Sequence, residues 1–125
     1  LSILFEEREW GQRAESMIKG VSQAIIKYPS SFGVWASLLQ QKINGADEIA
    51  IVGEGAHKSA VSLQSKHYLP AKIVMASSVE EAFPMLRNKK PSNFIQIFLC
   101  RNSVCYPAFT TEEALLRMMK GQTIH

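Results

Sequence analysis

The chain has 125 residues, 46% hydrophobic and 20% charged, enough apolar material for a real core without disulfides or metals. Its 14 Lys and Arg against 11 Asp and Glu leave a net charge of +3, far short of the clustered basic face that binds nucleic acid. No stretch approaches the ~20 consecutive apolar residues of a membrane span, and no basic-then-apolar signal peptide opens the sequence.

The first residue is Leu1 and not Met, so a piece of a longer polypeptide is expected. Between Glu6 and Tyr28, apolar residues recur at Ala14, Met17, Ile18, Val21, Ile25 and Tyr28, steps of three and four that line one face of a helix. Pro29 stops it. Ser30 or Ser31 is the expected cap of a second helix, with the stripe Val34, Trp35, Leu38, Leu39 and Ile43. Asn44-Gly45 ends that helix in the left-handed way. The two tryptophans, Trp10 and Trp35, belong to this hairpin and are read as packing residues.

From Asp47 the period changes. Glu48 to Gly53 is a short apolar run closed by glycine, the pattern of a buried strand. A helix is expected from about Ala56 to Tyr68, with His67 at its C-terminal end. A second strand follows over Lys72 to Ala76. Val79 to Asn88 reads as another helix, with Glu80 and Glu81 in its first turn and Arg87, Lys89 and Lys90 at its basic end. A third strand spans Phe94 to Leu99. The last helix, Glu112 to Lys120, is capped by Thr110 or Thr111. The expected class is α/β: an N-terminal αα-hairpin over residues 1–45, then a small three-stranded, mainly parallel, Rossmann-like βαβαβα unit over residues 46–125. Strand order 2-1-3 is expected, because Glu48 to Val52 lacks alternation and should be covered on both faces.

Two constellations invite a chemical reading. The first is the turn Gly53, Glu54, Gly55, Ala56, His57, Lys58, Ser59, where a strand gives way to a helix. Free backbone N–H groups at such a place attract anions. The dinucleotide fingerprint nevertheless lacks its third glycine, replaced by Lys58, and a P-loop would need glycine where His57 stands. Glu54 adds a negative charge. A tight structural turn is favoured over a weak anion site at Gly53, Gly55, His57, Lys58 and Ser59.

The second constellation is Cys100 and Cys105, with four residues between them that include Asn102-Ser103. A thioredoxin-like centre wants two intervening residues and a helix N-terminus. A zinc site wants about four ligands, and only His57, His67 and His125 could join. Three readings stand: a structural pair, a reversible disulfide brought into range by the turn, and a metal site. The structural reading is favoured, with both thiols reduced and slow to react. On a strand, Arg101 points away from Cys100 and does not lower its pKa. No catalytic set, cofactor or metal is expected from these residues.

Pro29, Glu48 to Gly53, the segment Cys100-Arg101-Asn102-x-x-Cys105-x-Pro107, Thr111 and Leu115 occur in an order that resembles the C-terminal end of the YyaL / spermatogenesis-associated thioredoxin-like proteins. The resemblance covers most of the chain. It implies a parent with an N-terminal thioredoxin-like domain, a central α/α toroid like that of six-hairpin glycosidases, and this α/β tail. Residues 1–45 would then be the closing hairpin of the toroid. The family's thioredoxin-like cysteines and barrel carboxylates lie outside this chain, so no catalytic residue carries over. The implied role is a non-catalytic C-terminal domain for intramolecular packing or partner docking. A redox accessory built on Cys100 and Cys105, or a weak phospholigand module at Gly53 to Ser59, are the alternatives. The expected partners are the remaining domains of the parent and a second copy of the chain, since Leu1 to Phe5 and Trp10 would lack their neighbours. Neither nucleic acid nor membrane is expected. Two cysteines are too few for a secreted disulfide scaffold, so a cytoplasmic location is expected.

Overall fold

In a computed structural model of the chain, residues 1–102 and 104–122 are described. Ser103, half of the expected turn pair, and His125 lie outside the described residues. The chain divides into two compact units, Leu1–Gly45 and the remainder from Ala46.

The first unit is helical: α1 (Ser2–Phe5), α2 (Arg8–Lys27) and α3 (Gly33–Asn44). Ile18 and Ile25 are its buried residues, with Val21, Trp35 and Leu39 half-buried beside them. Glu15 on α2 pairs with Lys42 of α3 at 3.2 Å, as well as with Lys19 one turn along. The expected Ser30/Ser31 cap is not used. Phe32 is the N-cap of α3, and no side chain caps the helix. Backbone N–H groups of Ser31 and Phe32 instead donate to the Tyr28 carbonyl, winding the chain through a turn first.

The second unit is a four-stranded mixed sheet with helices: β1 (Asp47–Val52), α4 (Ala56–Lys66), β2 (Lys72–Ser77), a 3-10 turn (Pro84–Leu86), β3 (Gln96–Arg101), β4 (Val104–Cys105) and α5 (Glu112–Gln122). The strand order is β2-β1-β3-β4, so β1 is central. Both of its faces are covered. Ile49 and Ile51 pack with Ala56, Leu63, Ile97, Leu99 and Leu115, while Ala50 and Val52 pack with Leu86. β2 runs parallel to β1, but β3 is antiparallel to it. The parallel three-stranded unit is thereby corrected.

The segment between β2 and β3 explains the reversal. Val79 to Asn88 is not a helix; only Pro84 to Leu86 turns, as 3-10. Pro84 cannot donate to a helical ladder, and its ring holds Phe83 extended at φ −63°, ψ 142°. Upstream, the Ser77 hydroxyl donates to the Val79 carbonyl (2.9 Å) and accepts from the Val79 N–H (3.2 Å), closing a local turn. The link from Ser77 to Gln96 thus contains no crossover helix of the kind that usually joins parallel strands, and β3 returns antiparallel. Glu80 and Glu81 are therefore not first-turn acids, and Arg87, Lys89 and Lys90 do not form a helix end.

Candidate functional site

β1, β2 and β3 all meet at one end of the sheet, and there three charged residues fall into register. Asp47 opens β1, Lys72 opens β2 and Arg101 closes β3; Asp47 is the register partner of both. The Asp47 side chain is only 4% exposed. Its Oδ1 accepts from Arg101 Nε at 2.6 Å and faces Arg101 Nη2 at 2.6 Å, while its Oδ2 accepts from Lys72 Nζ. Burial by itself would raise the Asp47 pKa, but the hydrogen bonds and charges of Arg101 and Lys72 outweigh it and hold the carboxyl below its ordinary value. The same contact raises Arg101. A carboxylate whose oxygens are both taken by cations has little basicity left for proton abstraction. This cluster is a clamp across three strands.

Arg101 leads directly to the cysteines. Cys100 lies on the opposite face of β3 from Arg101, as strand alternation requires. Cys100 is the register partner of Cys105 on β4, and the two sulfurs are joined in a disulfide. Reduced thiols were the expectation from sequence. They are replaced by a cross-strand bond because the hairpin sets the two residues directly opposite each other, where side chains are nearest. The two halves differ sharply in exposure: Cys100 is 3% exposed, whereas Cys105 lies on the surface. The face that Cys100 shares with Phe98 also carries Lys89, whose Nζ sits 5.5 Å from the Phe98 ring centre. Burial lowers the Lys89 pKa, partly countered by the charge of Glu48.

The glycine turn is built for packing. Gly53 has φ +113°, and a Cβ there would stand 2.2 Å from the Phe94 carbonyl oxygen. Its N–H donates to the Ser77 carbonyl, the Glu54 N–H to Ser92 and the Ala56 N–H to Gly53. Gly55, at φ +81°, caps α4 through its backbone. An open groove beside the turn is walled by Gly55, Lys58, Ser59, Thr111, Glu112 and Glu113. The structure thus brings Gly55, Lys58 and Ser59 together there, while Gly53 serves the packing beneath Phe94 and His57 is exposed. The buried Ser59 hydroxyl donates to Glu112 Oε1 at 3.1 Å, so a carboxylate of the chain already stands at the head of α4. Glu112 and Glu113 in the wall offset Lys58 and Lys66 there, so the groove has no net positive charge to draw a phosphate.

Sequence reasoning missed the Asp47, Lys72 and Arg101 cluster. The available signal was an aspartate at the start of an apolar strand, on the same face as Ile49 and Ile51, because a buried acid demands cations. Among the described residues, no buried side-chain nitrogen or oxygen lacks a hydrogen-bond partner, and no three His, Cys, Asp or Glu are grouped to hold a metal. No helix among them is long and apolar enough to cross a membrane. No family model, curated protein or solved structure matches the chain.

Proposed function

We propose that this chain is a non-catalytic C-terminal docking domain of a larger thioredoxin-domain-containing protein, its helical hairpin seated against helices of that parent. The observation that carries the reading is the condition of the hairpin. α3 buries none of its twelve residues, and the twenty-residue α2 buries only Ile18 and Ile25.

The uncovered apolar residues are organised. Trp10, Ala14 and Met17 follow one another at steps of four and three on α2, with the Phe5 ring edge-on to Trp10 at 6.0 Å. On α3, Val34 and Leu38 are likewise exposed one turn apart. Burying a side chain of this size contributes roughly 1.5–3 kcal/mol, so covering four or five of them is ample for tight packing of helix on helix. Helices of the parent are the occupant this reading commits to; it rests on the resemblance to the YyaL-type proteins, which would put a helical toroid before this segment. The charge clamp at Asp47 supports a non-catalytic role, since its acid is saturated.

The test compares amide hydrogen exchange in this chain alone with exchange in the full-length polypeptide. α2 and α3 should exchange at least ten-fold more slowly in the longer protein, with β1 unchanged. Equal exchange in both would sink the reading.

A further inference from the structure

We propose that Cys100 and Cys105 form a thiol–disulfide exchange site, addressed from the Cys105 side by a vicinal dithiol. Accessibility selects the point of attack. Cys100 is enclosed at the end of β3, and Cys105 is exposed on the two-residue strand β4. An incoming thiolate therefore reaches the Cys105 sulfur and expels the Cys100 sulfur.

The surrounding frame does not need the bond. The Tyr106 N–H donates to the Leu99 carbonyl at 2.9 Å immediately beyond the disulfide. Farther along, Ile97 and Phe109 exchange both backbone hydrogen bonds, at 2.8 and 2.7 Å. Arg101 anchors the end of β3 on Asp47. The segment thus stays on the sheet when the sulfurs separate, and opening the bond changes the chemistry of two atoms without releasing a strand. A disulfide that spans four residues also closes a small loop, the case in which cross-linking stabilises least.

The electrons balance as follows. One thiolate of the dithiol attacks Cys105 Sγ and forms a mixed disulfide. The Cys100–Cys105 bond breaks, its electron pair leaves on Cys100 Sγ, and that sulfur takes a proton from water. The second thiolate of the dithiol then attacks its own sulfur in the mixed disulfide and releases Cys105 as a thiolate. The dithiol is oxidised to a cyclic disulfide, and the protein disulfide gains two electrons. In the reduced protein Cys100 is shielded and Cys105, exposed on β4, is the thiol that a reagent reaches.

Dithiothreitol serves as the probe, acting on the folded chain near neutral pH. Millimolar dithiothreitol should open the bond within minutes, with the far-ultraviolet circular dichroism unchanged, and its cyclic oxidised form should close the bond again. Iodoacetamide should then label Cys105 at least ten-fold faster than Cys100, read by peptide mass. As an independent arm, Cys100→Ser should form a mixed disulfide with glutathione disulfide, and Cys105→Ser should not. A bond that resists dithiothreitol until urea unfolds the protein would overturn the proposal in favour of a plain cross-link. Equal labelling of the two thiols, collapse of the sheet on reduction, or thiols that never re-form the bond would each overturn it as well.

Discussion

Asp47 and Gly53 bracket the central strand, and each is irreplaceable for a different reason. Asp47 carries a buried charge held by Arg101 and Lys72, so replacement by Asn leaves both cations without their anion. Arg101 is half exposed, which tempers the cost, and Asp47→Asn should destabilise the sheet by about 2–3 kcal/mol in urea titrations. The sign of the pH dependence follows from the lowered carboxyl. Its folded pKa lies below the unfolded value of about 3.9, so the stabilisation is fully present above that pH and is lost as pH falls through the folded value. The stability gap between the native chain and Asp47→Asn should therefore shrink when urea titrations are repeated near pH 3. At Gly53 the obstacle is steric. Alanine would need a left-handed φ and would meet the Phe94 carbonyl, so Gly53→Ala should lower the thermal midpoint by many degrees.

At the scale of elements, α5 and β4 show what secures the second unit. Leu115 is fully buried on α5, packed with Leu63, Ile97 and Leu99, and Thr111 Oγ1 caps the helix by accepting from the Ala114 N–H at 3.2 Å. Leu115→Ala should cost about 3 kcal/mol, a cavity penalty, against about 1 kcal/mol for Thr111→Ala. The Cys100→Ala/Cys105→Ala double variant should lose about 2 kcal/mol or less, because the closed loop is short, and should keep its sheet by circular dichroism. The misread element is equally instructive. Val79, Ala82, Phe83 and Leu86 are spaced like a helical stripe, yet Pro84 sits inside it. A three-residue turn is enough to deliver Met85 and Leu86 into the interior. Val79, Ala82 and Phe83 stay exposed, so of the stripe only Leu86 is buried, and Met85, which lies off it, is buried instead.

For the molecule as a whole, two units with unequal interiors imply unequal stability. Amides of α2 and α3 should exchange with solvent well before those of β1, whose residues Ile49, Ile51 and Val52 are almost wholly enclosed. The open apolar residues of the hairpin should also make the isolated chain associate as concentration rises. Light scattering across a hundred-fold dilution checks this, and Met17→Lys with Val34→Lys should shift the chain toward monomer while its helicity is retained. A chain that stays monomeric throughout would speak against a sticky hairpin face.

Local pattern was sufficient for the α/β class, the helices α2 to α5 to within a few residues, and the central place of β1. Each depends on short-range spacing of apolar residues, on prolines and on glycines, which act within a turn or two of the chain. Strand direction was beyond its reach. An apolar run such as Ile97 to Leu99 reads the same in either sense, and only the route taken from Ser77 to Gln96 makes β3 antiparallel. Much of the candidate chemistry was likewise decided by tertiary contact. Asp47, Lys72 and Arg101 are far apart in sequence and become neighbours through the register of three strands. The spacing of Cys100 and Cys105 allowed a bond, but the hairpin placed them face to face and left one sulfur buried and the other within reach of solvent.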